Sequence, residues 1–349
     1  MIDHVPSAPP ASRTYGPRSR LARTRAVTVA LAVAAFALFI LTMMVGSFYV
    51  PAWDVITSAF HLRDEPSVDF VVRDLRLPTA TAAVAVGVAL GVSGLLFQKL
   101  LGNPLASPDF VGISAGASMF AVTAIVLFGA GSTMISASAL AGALTSAFII
   151  YVLAWRDGIS GYRFILIGIA VSQFMMSIIG YIVARAELYE ARQAMTWLVG
   201  TVGQAGSTEL RTLLGALLVL VPAALVLQRP LRVLELGDDT AKALGARVEI
   251  SRLALIAVSI VLIGFATAVA GPIMFVALIA GPIAQRIVGH SGGGIVAAGL
   301  VGSIIVLGAD LVAHHVVPVA LPTGVITGII GAPYLIWLLA TVNREGRGG

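Results

Sequence analysis

Asp310 and His314 stand four residues apart in ADLVAHH, the spacing that brings two side chains together on one helix face. An acid beside an imidazole could form a pH-sensitive contact, or a local pair without function. Little else in the chain could do chemistry. The five histidines, His4, His61, His290, His314 and His315, show no metal-ligand spacing. With no cysteine there are no disulfides, thiolate metal sites or Cys nucleophiles. The two lysines, Lys99 and Lys242, fit no G-x-x-x-x-G-K-[ST] loop, so this chain does not itself hydrolyse ATP. No catalytic constellation, metal site or cofactor is expected.

Two stretches carry polar groups in a purposeful order. In FQKLLGNPLASPDFVG, Phe97 to Gly112, an apolar run stops at Gln98 and Lys99 and resumes after Asp109. Asn103-Pro104 and Ser107-Pro108 are helix stops and starts, because proline lacks an N–H and disfavours helix in the residue before it. Ser107 or Asp109 could cap the following helix. Taken alone the corner is a plain inter-helix turn or part of a path, since irregular backbone at membrane depth needs protein or a water-filled cavity around it.

The second stretch, ELGDDTAKALGARV, predicts a short helix over 237–245. Asp238 or Asp239 supplies the N-cap, Thr240, Ala241, Lys242, Ala243 and Leu244 form the turns, and Gly245 stops it after the opening Gly237. So short a helix is marginal alone. Leu236, Ala241 and Leu244 would offer an apolar face to a partner groove, or rest on the membrane surface.

The elements that position these stretches are membrane spans. Apolar residues make up 58% of 349 and charged residues 11%, against about 25% charged in soluble domains. Runs of the length that crosses hydrocarbon as helix recur throughout, without the alternation of a transmembrane barrel. The expected fold is all-α and polytopic, about ten helices in a single bundle: 26–46, 78–98, 110–128, 136–155, 164–184, 210–228, 253–270, 274–289, 294–312 and 323–341. The 274–289 span is short enough to be re-entrant. The run after Arg25 exceeds a signal-peptide core and has no clear cleavage site, so it reads as the first span.

With the N-terminus inside, 16 basic residues face the cytoplasm and 6 the outside, while acids divide evenly, as the positive-inside rule expects. Both termini are then cytoplasmic. The net charge of +5 is this topology signal, and no nucleic-acid partner is expected. The expected organisation is a disordered basic head (1–25), a transmembrane domain (26–342) with a cytoplasmic loop at 229–252, and a tail (343–349). Gly87, Gly91 and Gly94 in the second span are spaced for close helix approach.

The stretch Arg76 to Ala117, LGDDTAKALGARV, GPIMFVALIAGPIAQRIVG, ADLVAHH and LPTGVITGIIGAPYLIWLL together resemble, in order, the FecCD-type permeases of bacterial ABC importers for iron–siderophores, haem and vitamin B12. The resemblance runs from about residue 26 to 342. It implies a type II importer permease in the bacterial inner membrane, without enzymatic activity. It implies as partners a homologous permease subunit, two cytosolic ABC ATPases and an extracytoplasmic substrate-binding protein. The 237–245 helix would sit in an ATPase groove. The path would be lined by small or apolar residues of the fifth and tenth spans.

The family's outer arginines dock the binding protein. Arg76 matches the first; Thr79 and His314 stand where the others would be. Gly281-Pro282 with Gln285-Arg286, and Ala320, depart from family blocks that carry Pro-His with Arg, and Glu. These losses suggest one half of a heterodimer. Ferric siderophore is the expected substrate, with haem or cobalamin as the alternative, and an ion-coupled secondary carrier as the alternative of another class. In this frame Gln98, Asn103, Pro104 and Pro108 form a rigid inner corner near the ATPase-facing end, with Gln98 and Asn103 satisfying backbone left open by the two prolines.

Overall fold

The computed structural model describes residues 17–46, 48–62, 65–109, 111–156, 161–289, 294–316 and 319–345. Residues 1–16 of the expected head, His290 and residues 346–349 lie outside them. The described chain runs α1 (Pro17–Met44), α2 (Ala52–Ala59), α3 (Pro66–Asp69), a π-helical segment (Phe70–Arg76), α4 (Leu77–Leu101), α5 (Ile113–Phe128), α6 (Ser132–Ala154) and α7 (Gly161–Arg185). It continues through α8 (Leu188–Val199), a short 3-10 turn, α9 (Ser207–Leu234), α10 (Asp238–Ala243), α11 (Val248–Ala270), α12 (Val276–Val288), α13 (Gly294–His315) and α14 (Thr323–Glu345).

Seven helices among the described residues are long and apolar enough to span a membrane, and three shorter apolar helices begin at Ile113, Val276 and Thr323. Together they match the ten spans expected from sequence. The boundaries differ in physical ways. Residues 17–25 of the expected head continue α1 as helix. The second span extends at its N-terminal end through the π-helical segment as one rod from Pro66 to Leu101. Helix α9 runs on to Leu234 despite Pro222 and Pro230, which shortens the expected cytoplasmic loop. Helix α8 was not foreseen in what reads as an outer connection.

At the centre is α4, packed against α9, α11, α12 and α13. Its glycines allow backbone to meet backbone. A Cβ on Gly94 would lie 1.8 Å from the Ala277 carbonyl oxygen, and one on Gly91 would lie 2.1 Å from that of Ala298. Helix association inside a bilayer depends on such packing, because lipid tails are as apolar as the side chains. The Ser93 hydroxyl donates to the Ser259 carbonyl at 2.7 Å, tying α4 to α11.

Three breaks in helix meet beside this core. The Thr201 N–H donates to the Ala270 carbonyl at 2.7 Å, and the Gly324 N–H to the Gly200 carbonyl at 3.0 Å. Non-helical backbone at membrane depth must satisfy its polar groups within the protein, and these bonds do so. The extended segment from Gly271 ends at Phe275, whose φ of +67° is an outlier for a bulky residue.

Candidate functional site

The corner between α4 and α5 is built around Gln98. Its side-chain Nε2 donates to the Pro104 carbonyl and to the Leu278 carbonyl, both at 2.8 Å. Pro282 lies inside α12 and has no N–H to offer the carbonyl four residues earlier, so Gln98 takes that place. Its Oε1 has no partner and packs where a Gly281 side chain would stand. The expectation that Gln98 repairs backbone at the corner prolines is therefore half corrected: one repaired carbonyl lies in α12. The Leu105 N–H donates to Asn103 Oδ1 at 2.9 Å, closing a local turn. Pro108 is buried. Neither Ser107 nor Asp109 caps α5; Gly112 occupies the N-cap, with φ of +91° and no side-chain cap.

The short helix expected on the cytoplasmic side forms over Asp238–Ala243. Gly237, with φ of +93° and no side-chain cap, takes the N-cap position expected for Asp238 or Asp239. Asp238 is engaged by the Arg252 guanidinium at 2.6 Å. Both acids in the first turn still favour the helix dipole. Past the end, the Gly245 N–H donates to Lys242 and the Ala246 N–H to Ala241. Ala241 is fully buried, so it leaves the expected exposed face, whereas Leu236 and Leu244 are exposed. Lys99 meets Glu235 at 2.9 Å. Salt bridges thus hold both approaches to α10, one from α4 and one from α11.

At the other end of α4, Arg76 and His314 line one pocket of about 380 Å³ together with Thr79, Asp310 and His315. The Arg76 guanidinium is engaged: it donates to the Met43 carbonyl at 2.7 Å, to Met44 at 3.2 Å and also to Phe48. A cation on the last carbonyls of α1 complements the helix dipole. The expected contact between Asp310 and His314 exists, at 3.3 Å. Asp310 is also held by the Thr323 hydroxyl at 2.9 Å, joining α13 to α14.

Between these ends lies a cavity of about 470 Å³ walled by α5, α7, Leu198 of α8 and the Pro272–Phe275 segment. Asp109, Ser114, Ser118, Ser172 and Gln173 supply its polar lining. The size suits a small-molecule site. The corner reaches it through close approach of Gly112 to the Gly168 carbonyl on α7. Burial pushes the Asp109 carboxyl up to about 6, against the hydrogen bonds from Ser114 and Ser107. Sequence reading gave Asp109 only a capping role and did not single out Glu209. Glu209 is buried beneath the Ser132 and Thr133 hydroxyls. The signal was present for the cavity: Ser114 and Ser118 share a helix face, and Ser172-Gln173 interrupts an apolar span. Among the described residues no cluster could hold a metal ion.

Residues 33–341 match the FecCD transport family. The chain is 43% identical over 283 residues to the ferric enterobactin transport system permease protein FepG of Escherichia coli, covering 80% of this chain and 85% of FepG. It is 35% identical over 340 residues to the ferric enterobactin transport system permease protein FepD of the same organism, covering 93% and 98%. In fold it resembles a metal-chelate type ABC transporter solved in an inward-facing conformation, with a TM-score of 0.82 at 23% identity, covering 91% of this chain and 99% of that one.

Proposed function

The chain belongs to the FecCD transport family, and from that premise we propose that it is the permease subunit of an ABC importer that carries ferric siderophores across the membrane. The observation that carries the reading is the 43% identity to a ferric enterobactin permease along four-fifths of the chain. Its parts then have roles without covalent chemistry. Separate cytosolic ATPases supply the energy through α10, whose exposed flanking residues Leu236 and Leu244 enter a groove of the ATPase. The Lys99–Glu235 and Arg252–Asp238 pairs pass a push on that helix into α4 and α11.

A substrate-binding protein docks at the outer pocket of Arg76 and His314. The Arg76 charge is shared with the α1 carbonyls, so its contribution is mainly to steer encounter. A homologous permease completes the path. The similarity to both FepG and FepD supports a pair of related but different subunits. The arginine bias supports cytoplasmic termini. Purification of the tagged chain with its native partners, followed by ATP-dependent uptake of labelled ferric siderophores, tests this. Copurified ATPase and a second permease with ATP-dependent uptake support it; uptake by this chain alone, driven by an ion gradient, refutes it.

A further inference from the structure

A second pocket, of about 460 Å³, lies between α8, the α5–α6 turn and the end of α11. Its volume falls in the range of small-molecule sites. Arg192 is the only charged residue among the described ones that line it. The Arg192 guanidinium makes no ion pair and stacks on no ring among the described residues. Glu209 opens onto a separate pocket of about 170 Å³, and its Oε1 accepts from the Ser132 and Thr133 hydroxyls. Tyr189 and Trp197 of α8 give the larger pocket aromatic walls, and Ser136, Gln193 and Gln204 add neutral donors and acceptors. A guanidinium pairs with two neighbouring oxyanions as a planar fork and also stacks on rings, so this set suits an aromatic anion.

The pocket adjoins the cavity between α5 and α7. Trp197 and Ala270 line the pocket, while Leu198 and Pro272 line the cavity. The wall between them is backbone against backbone. A Cβ on Gly271 would lie 2.5 Å from the Trp197 carbonyl oxygen, and one on Gly200 would lie 2.6 Å from that of Pro272.

We propose that this pocket is an anion-binding subsite beside the path, in which Arg192 donates to the phenolate oxygens of a polyanionic catecholate chelate while Tyr189 and Trp197 pack against its rings. This rests on the reading of the chain as a ferric-siderophore permease and narrows its substrate class. Iron(III) with three catecholates is a trianion that carries aromatic rings on its surface. Iron(III) with three hydroxamates is neutral, and its chelating groups carry no ring. The first offers both the charge that Arg192 lacks and faces that pack on aromatic side chains; the second offers neither.

The test uses the full-length permease assembled with its native partner subunits in phosphatidylcholine nanodiscs. The binding protein is left out, so that a docking defect cannot pass for a subsite defect. The complex is titrated with two chelates of radioactive iron, a trianionic tris-catecholate and a neutral tris-hydroxamate. The trianion should bind at least about tenfold more tightly, and its affinity should fall as salt is raised. Arg192→Gln should remove most of that preference at an unchanged melting temperature, because the side chain is exposed. Tyr189→Ala should weaken the trianion severalfold and spare the hydroxamate. No measurable binding of the trianion, a preference that survives Arg192→Gln, or equal losses for both chelates would overturn the subsite. So would loss of the preference when anionic phosphatidylglycerol is added, which would assign the pocket to a lipid headgroup. These results leave the permease reading standing where the unaltered importer, with its binding protein, takes up ferric chelates on ATP. Absence of that uptake overturns the permease reading itself.

Discussion

Helices α4 and α7 each have 25 residues and nearly the same mean hydropathy, yet they live in different surroundings. Of the most apolar stretch, 83% is buried in the rod that contains α4 and 17% in α7. Lipid and protein are both apolar, so hydropathy alone does not separate a helix that faces its own chain from one that faces outward. Side-chain size does. Gly87, Gly91 and Gly94 of α4 touch backbone of α12 and α13, while a Cβ on Gly180 of α7 would meet nothing within 4 Å. The central helix is committed to holding the bundle. The outer helix, with one wall on the cavity and Phe174, Met176 and Tyr181 exposed, is free to meet cargo, lipid or a partner subunit.

Substitutions in the two helices should therefore fail in different ways. Gly94→Ala drives a methyl into the Ala277 carbonyl. We expect the largest loss of stability here, at or above the usual overpacking cost of about 1–3 kcal/mol, read as a lower melting temperature and yield in detergent. Gln98→Leu comes next. It strands the buried Leu278 carbonyl and removes the bond to the more exposed Pro104 carbonyl, a loss of about 1–3 kcal/mol as for an unsatisfied buried group, measurable by the same unfolding assay.

Ser172→Phe on α7 should leave the melting temperature nearly unchanged but obstruct the cavity, cutting uptake of the ferric chelate about tenfold, equivalent to about 1.4 kcal/mol. A large drop in melting temperature with uptake retained would contradict this division of roles between α4 and α7. The smallest effect belongs to Gly180→Ala, within about 0.5 kcal/mol as for an open surface site. A larger effect in the assembled complex than in the isolated subunit would point to this face as one a second permease covers.

Much of this was legible because membrane helices announce themselves by local pattern. Gly237 and Gly245 bracket α10 as read, and the glycine spacing of α4 foretold its close packing. Helix α8 was missed because its 12 residues are too short to span, and Glu190 and Arg192 make it resemble a loop. The partners of Gln98 were only half legible. Pro104 is local, but Leu278 lies 180 residues away, and nothing in either segment names the other. Arg76 is similar: its charge suggested a docking site, while its reach to the end of α1, across about 30 residues of intervening chain, depends on tertiary structure. The exposed face drawn for Ala241 failed because the helix leans on its neighbours.

On the proposed reading, α10 is the point where an external ATPase acts on the chain. The direct test is uptake of a labelled ferric siderophore into proteoliposomes holding the complete importer, with 238–245 replaced by a flexible Gly-Ser segment of equal length. Assembly of the bundle should persist and ATP-dependent uptake should fall to background, while the unaltered importer transports. Undiminished ATP-dependent uptake by the replaced chain would refute the coupling role of α10.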